Sequence, residues 1–405
     1  MDRVILHCDC NSFFASVETA LNPAYRGVPM AVCGSVEDRH GIVLAKNEEA
    51  KRYGIVTAET VYSAKKKCPA LVIATPHYSA YSDFSRRVNS IYADYTDKIE
   101  PFGIDESWLD ITASIRYFGS SEKIAEEIRR RVKDEIGITV SIGVSFNKVF
   151  AKLGSDYKKP DAITYITKDN YKEIVSPLPA SDLLFVGKKT SEQLKAVGIR
   201  TIGELSAVSR EFLVSRFGKM GHMLFAYSNG LDDSPVCPGG SSEAKSISNG
   251  FTFRHDLVNR SDCLIAIEYL SEEIGCKLRC NLQVCTGVSL TVKDEFLKSI
   301  VRQRKLDKST DTGAEIAKVA YDILDECWQD GRPIRMLTVS VYGLILSDSM
   351  SEQIGFFEEC DTLANNKGKK KEETIDKIRQ KYGTSSIIRG AIMSTDIGIY
   401  EPNKK

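Results

Sequence analysis

Ile99-Glu100-Pro101-Phe102-Gly103-Ile104-Asp105-Glu106-Ser107-Trp108-Leu109-Asp110-Ile111 is the stretch on which the fold turns. Ile99 to Phe102 and Ser107 to Ile111 read as two strands around a tight turn at Gly103. Upstream, Tyr81, Phe84, Val88, Ile91, Tyr92 and Tyr95 recur near helical spacing and predict one amphipathic helix from Tyr78 to Lys98. Downstream, a second helix is expected over Ser121 to Ile136, with Ser120 or Ser121 as its N-cap and Glu122 and Glu126 early. Thr139 to Val144 alternates as a strand, and Val4 to Cys8 near the start reads as a short buried one. Strand, helix, strand, strand, helix, strand implies an antiparallel sheet backed by two helices. This is an α+β layer, not a Rossmann sheet.

At 405 residues the chain is too long for one core, so several domains are expected. Residues 20–77 hold small elements broken by Gly27, Pro29, Gly34, Gly41, Gly54 and Pro69. Residues 167–232 read as short helices, and 233–245 as a linker. Residues 246–345 restart as a second α+β unit: strand, helix near 260–280, strands at 282–293 and 299–306, helix at 313–327, strand at 335–343. A polar stretch, 346–371, precedes a last short helix, Glu372 to Tyr382.

Hydrophobic residues at 42% and charged residues at 27% exclude disorder for the bulk of the chain. No run of about eighteen apolar residues offers a membrane span. Acids flank the first apolar patch, which argues against a secretory signal. The eleven cysteines then read as reduced thiols in a cytoplasm, with Cys276 and Cys280 on one helix face. Cations and acids balance at 55 each, so any basic surface for a nucleic acid must be local.

The chemistry lies in carboxylates. Asp9 ends the first strand, and Asp105 and Glu106 follow Gly103. The strand pairing proposed above sets these three acids side by side, where they would repel. One or two oxygen-preferring divalent cations such as Mg²⁺ would relieve that repulsion. Two such ions can clamp the attacking and leaving oxygens of a phosphoryl transfer. The competing reading is a set of surface turn acids.

Four further segments bear charge or exposed aromatics. Gly143 to Lys152, then Lys158-Lys159-Pro160, follow a strand and start a helix, where amides and lysines favour phosphate. Leu184 to Thr190, with Gly187, Lys188 and Lys189, leads to Val197-Gly198-Ile199. Two short helices around a glycine turn can offer amides to a DNA phosphate without reading bases. Phe217 to Gly221 is a weaker echo. Leu297 to Ser309 holds five cations against one acid, and Arg302 and Arg304 share one strand face that suits a nucleic-acid backbone. Gln353-Ile354-Gly355-Phe356-Phe357 sets two aromatics in a polar tail, where they invite a partner's pocket. Each has a plainer alternative: solvated lysines, an ordinary helical hairpin, a charge-protected edge strand, or aromatics folded back on their own domain.

Taken together, these segments resemble the Y-family (translesion) DNA polymerases, including its bacterial polymerase IV and UmuC-like branches. The resemblance rests on Asp9-Cys10-Asn11-Ser12-Phe13-Phe14-Ala15-Ser16-Val17-Glu18 and on Gly103-Ile104-Asp105-Glu106-Ser107-Trp108-Leu109-Asp110. Gly143 to Lys152 and Lys158-Lys159-Pro160 add to it, and it spans about residues 3–345. It implies a right-hand polymerase with palm (1–19 and 78–166), small fingers (20–77), helix-hairpin-helix thumb (167–232), linker (233–245) and little finger of ferredoxin-like order (246–345). It also implies that Asp9, Asp105, Glu106 and the backbone carbonyl of Cys10 hold two Mg²⁺, with Asp105 and Glu106 catalytic. Phe14 matches the steric gate under the sugar, with Phe13 beside it; Lys159 matches the triphosphate lysine. Gly187, Lys188, Lys189, Arg302 and Arg304 would meet primer-template DNA. Gln353, Phe356 and Phe357, in the tail over 346–405, are similar to the peptide that binds the bacterial sliding clamp.

The resemblance further implies low-fidelity extension past damaged bases by a deoxynucleoside triphosphate polymerase without proofreading. The chain is expected to act in the cytoplasm as a monomer, with no membrane partner. Two positions depart from the family. Glu48 stands where a tyrosine contacting the triphosphate is common, and Lys51 where an arginine is. Lysine keeps that charge without the bidentate fork. Three alternatives stay open: a UmuC-like subunit needing accessory proteins, a lapsed DNA- and clamp-binding scaffold, and a nucleotide cyclase sharing the palm architecture.

Overall fold

The computed structural model describes residues 3–35, 39, 41–239, 244–347 and 359–399. Two compact units divide it: residues 1–34 with 42–241, and residues 35–41 with 242–405.

The first unit centres on β1 (Ile5–Cys10), every residue of which is buried. It lies in a five-stranded sheet with β5 (Ile99–Pro101), β6 (Glu106–Asp110), β7 (Val140–Ser145) and β8 (Ile163–Ile166), ordered β5-β6-β1-β7-β8. A central strand covered on both faces reads as a continuous apolar run, which β1 does apart from His7 and Asp9. The helices α4 (Tyr78–Ala93) and α6 (Ser121–Arg131) cover one face. Leu6, Cys8 and Cys10 meet Tyr81, Phe84, Val88 and Ile91 of α4 and Ile124 and Ile128 of α6 there. Ser120 is the cap of α6, accepting from the Lys123 amide at 3.2 Å. The helix α4 stops at Ala93, short of the expected Lys98. There Thr96 donates to the Asp110 carbonyl at 2.8 Å, and the chain turns into β5.

The sheet is not wholly antiparallel. Residues beyond the expected strands add α7 (Lys148–Tyr157) and β8, which pairs parallel with β7. Asn147 caps α7 through the Phe150 amide at 2.8 Å. The helix α7 lies against the other face, where Ile5 and Trp108 pack with Ala151. Gly143 makes this possible: a Cβ there would fall 1.9 Å from the Ala151 carbonyl oxygen. Along the chain, α1 (Phe13–Leu21) precedes a separate small sheet of β2 (Met30–Cys33), β3 (Val43–Lys46) and β4 (Val72–Ala74), ordered β3-β2-β4. The helices α2 (Glu48–Arg52) and α3 (Val61–Lys67) accompany that sheet. After α5 (Ile115–Phe118) and β8 come the short helices α8 (Tyr171–Val175), α9 (Lys188–Ala196), α10 (Ile202–Ser206), α11 (Arg210–Phe217) and α12 (Lys219–Ser228). Leu183, Leu194, Ile202, Leu213 and Leu224 form their core.

The second unit is a four-stranded antiparallel sheet, β11-β10-β12-β9, from β9 (Ser246–Leu257), β10 (Gln283–Asp294), β11 (Ser299–Thr310) and β12 (Ile334–Tyr342). A short β13 (Ile345–Leu346) pairs with the start of β10. The helices α13 (Arg260–Cys280) and α14 (Gly313–Cys327) pack on one face, where Val288, Leu290, Leu337 and Val339 meet Ile267, Ile274 and Ile316. The last long helix, α15 (Glu359–Tyr382), begins thirteen residues before the expected Glu372, and α16 (Gly390–Met393) follows. Glu372 on α15 accepts from the Gly313 amide at 2.9 Å and from Arg279 at 2.6 Å, so this segment caps α14. The described tail is thus part of the second unit's core, where Ile397 is buried, and not a free polar extension.

Candidate active site

Asp9 pairs with Glu106 across the β1–β6 ladder. Opposed residues of an antiparallel pair put their side chains on the same face. His7, two residues back on β1, shares it. Ligand atoms of His7, Asp9 and Glu106 all lie within 4.8 Å of one another. Two lysines from α7 and its exit meet the acids. The Lys152 ammonium bonds to Glu106 and lies 3.2 Å from Asp9 and 3.6 Å from Asp156. Lys159 bonds to Asp9 at 2.8 Å and to Asp156 at 2.7 Å.

These contacts set the charge states. Burial works against the charge on Glu106, but the neighbouring His7 and the bonded Lys152 ammonium outweigh it and hold Glu106 at about 2. Asp105 is treated differently: burial first, then the charges of Asp9 and Glu106, push it up to about 6. Lys152 and Lys159 resist burial because Asp9 and Asp156 hold both up. Burial pushes His7 down, which keeps it neutral. Its Nδ1 meets the Ser155 hydroxyl at 2.8 Å and its Nε2 lies 3.4 Å from Glu106. Asp105 itself sits just before β6, outside the tight His7–Asp9–Glu106 group. Its carbonyl accepts from the Cys10 amide at 2.9 Å, which fixes the turn against the end of β1.

A divalent cation suits this donor set. Hard carboxylate oxygens converge beside a backbone end, and their negative charge draws two ammonium groups onto them in the structure. Asp9, Asp105 and Glu106 are the residues that would hold such an ion.

The remaining expected positions divide. Phe14 on α1 is half-buried and stacks on Tyr81 with ring centres 4.0 Å apart and planes 10° apart. Phe13 beside it is buried in the core, its ring 6.4 Å from that of Tyr81. Lys51 is paired with Glu48 at 2.5 Å, and Ser12 donates to the same Glu48 oxygen at 3.3 Å. The acid at position 48 is therefore neutralised within the small sheet's own helix. Gly187 opens α9 with free space around it, and Lys188 and Lys189 are exposed.

Arg302 and Arg304 do share a face of β11, but it is the helix face. Arg302 lies opposite Leu290 and Arg304 opposite Val288, both core residues. Arg304 is held by Asp322 at 3.0 Å and by Glu326, both on α14. The other face carries Ser289, Thr291, Gln303, Lys305, Thr338 and Ser340. Gln353, Phe356 and Phe357 lie outside the described residues.

Sequence reasoning missed His7 and Asp156, and placed Lys152 only within a phosphate-favouring segment, where the structure sets it on carboxylates. The signal for Lys152 was present: with Ser155, Asp156 and Lys159 it recurs at three- and four-residue steps on and just beyond α7, toward the Asp9 face.

Comparison with known proteins gives a consistent result. The impB/mucB/samB family matches residues 8–156, its C-terminal domain residues 244–356, and a DNA polymerase-iota thumb domain residues 181–232. A DNA polymerase IV of Acetivibrio thermocellus is 46% identical over 97% of this chain and 98% of its own length. DNA polymerase IV 1 of Bacillus subtilis is 34% identical over 97% and 94%. Among solved structures, a Y-family DNA polymerase chimera superposes with a TM-score of 0.75 at 23% identity, covering 85% of this chain and 99% of that one. With near-full-length relatives at this identity, the chain belongs to the Y-family of translesion DNA polymerases, which are DNA-directed DNA polymerases.

Proposed function

We propose that this polymerase joins a primer 3′-hydroxyl to the α-phosphorus of a deoxynucleoside triphosphate at Asp9, Asp105 and Glu106, and does so without accessory subunits. The observation that carries the reading is the Asp9–Glu106 pair, flanked by Asp105 and covered by Lys152 and Lys159. The new bond is O3′ to α-phosphorus; the bond broken leads to pyrophosphate. The family uses a divalent metal; we assign it as two Mg²⁺, held by the three carboxylates and the Cys10 carbonyl. Bound there, magnesium supplies Lewis-acid polarisation of the hydroxyl and charge for the leaving pyrophosphate.

The chain's own residues do the rest. Lys159, now on Asp9, is placed to exchange that carboxylate for the triphosphate. Phe14 is the wall against a 2′-hydroxyl. The Glu48–Lys51 pair lets Lys51 turn to the triphosphate at little cost, since an exposed ion pair is worth at most about 1 kcal/mol. In hand terms, residues 1–19 and 78–166 are the palm, 20–77 the fingers, 167–232 the thumb and 246–345 the little finger. Primer-template DNA is met by the Gly187 amide, Lys188 and Lys189. In the second unit, the face of Ser289, Gln303 and Lys305 replaces Arg302 and Arg304 as its DNA contact. Gln353, Phe356 and Phe357 bind a sliding clamp.

The purified chain with Mg²⁺, primer-template and dNTPs tests this. Extension without other proteins is expected, on intact and on lesion-bearing templates alike. Failure to extend with DNA still bound would favour an accessory-dependent subunit. Retention of clamp on immobilised chain, lost in Phe356→Ala/Phe357→Ala, tests the tail.

A further inference from the structure

One buried charge has no part in the chemistry above. Glu18 lies on α1, one turn beyond Phe14, and its side chain is 3% exposed. A carboxylate so placed costs several kcal/mol, of order, unless its oxygens are fully bonded. Among the described residues, its side-chain partners come from one short stretch at the start of α4. The Tyr81 hydroxyl donates to it at 2.5 Å, the His77 amide at 3.2 Å, and His77 Nδ1 lies 3.0 Å from both oxygens. Burial and the Glu18 bond push the Tyr81 hydroxyl well up, so it stays a donor. The Tyr81 ring is the one on which Phe14 stacks, 4.0 Å away and nearly parallel. Tyr78 stands edge-on to both rings, at 6.2 Å and 5.8 Å.

We infer that Glu18, through Tyr81 and His77, is the latch that holds the Phe14 ring rigid, and that it thereby sets discrimination between ribose and deoxyribose without touching the nucleotide. The inference rests on reading Phe14 as the sugar gate. A steric wall rejects a single hydroxyl only if it cannot retreat by a few tenths of an ångström. A hydrophobic residue at position 18 would fill the same space, but it would leave the Tyr81 ring free to tilt. Glu18 and Tyr81 are positioning residues in this scheme; Phe14 alone meets the sugar.

The test is single-nucleotide incorporation with dNTP and rNTP by four forms: wild type, Tyr81→Phe, Phe14→Ala and the double variant. Glu18→Gln is a fifth form; Tyr81→Phe keeps the ring and removes one hydrogen bond, so it reports even if Glu18→Gln does not fold. The expected result is that Tyr81→Phe raises the rNTP/dNTP ratio of kcat/KM about tenfold. The dNTP value itself should stay within about threefold. In the Phe14→Ala background Tyr81→Phe should add nothing, because the latch acts only through that ring. A merely structural role would lower both substrates together. An unchanged ratio in Tyr81→Phe, with Phe14→Ala still raising it, overturns the latch and leaves the gate standing. Equal effects of Tyr81→Phe with and without Phe14 also overturn it. No effect of Phe14→Ala removes the gate reading itself, and the latch with it.

Discussion

The two sheets handle charge on their covered faces in different ways. In the first unit, Asp9 and Glu106 stand on a face covered by α7, and the same helix and its exit send Lys152 and Lys159 to neutralise them. In the second, Arg304 stands on the helix face of β11, and α14 sends Asp322 and Glu326. Both are charges compensated from a neighbouring helix. They differ in what else can do the compensating. Acids that converge from two strands and a turn can trade ammonium groups for a metal ion, which is what the proposed site asks of the first arrangement. A single arginine against two acids on a helix surface has nothing to exchange, so the second is a brace.

Breaking the first arrangement should have the largest effect. Asp9→Asn and Glu106→Gln are each expected to slow nucleotide incorporation by about a thousandfold or more, because both the charge and the positioning are lost. Rapid-quench kinetics would read this; losses under tenfold would make the acids braces too. Next in size is the support beneath the site. Gly143→Ala would drive a methyl into the Ala151 carbonyl and push α7, with Lys152, off the sheet. A loss of about 3 kcal/mol in urea unfolding is expected. A neutral result would mean that α7 can slide without cost.

The comparison sharpens further on β11. Lys305→Glu, on the open face, should weaken primer-template binding several-fold, about one phosphate contact in salt dependence. Arg304→Glu should weaken it less and lower stability instead, since it meets Asp322 and Glu326. The reverse order in a fluorescence-anisotropy titration would restore Arg304 as a DNA contact. The smallest effect is in pH. Asp105 is raised from 3.8 to about 6, so the folded chain holds a proton that the unfolded chain has released between about pH 4 and pH 6. Stability from the protonated group is therefore lost as pH rises through that window, and cation binding should weaken as pH falls through it. Without divalent ions, wild type should lose on the order of 1 kcal/mol relative to Asp105→Asn from pH 4 to pH 7, after solvent screening. Parallel stability curves would show that Asp105 titrates normally.

The difference between the regions also explains what the sequence made legible. Alternation says which residues share a strand face, and Arg302 and Arg304 do share one. It does not say which face carries the helices; that depends on where Leu290 and Val288 point, and thus on the register of β10 against β12. Asp9 and Glu106 were legible because the motifs around them are specific and because repulsion between acids demands a partner. His7 was not, since one histidine in an apolar strand carries no signal until Ser155 and Glu106 close around it. The strand β8 was hidden behind the lysine-rich exit of α7, and the start of α15 behind a polar run that reads as tail.

The most direct test of the carboxylate site is single-turnover incorporation by Asp105→Ala beside wild type, with the primer-template affinity of each measured in parallel. The expected result is a rate at least about a thousandfold lower with DNA affinity within threefold, as the proposed role at the reacting atoms and not on the duplex requires. Incorporation within tenfold of wild type, or loss of DNA binding in step with the rate, would contradict it.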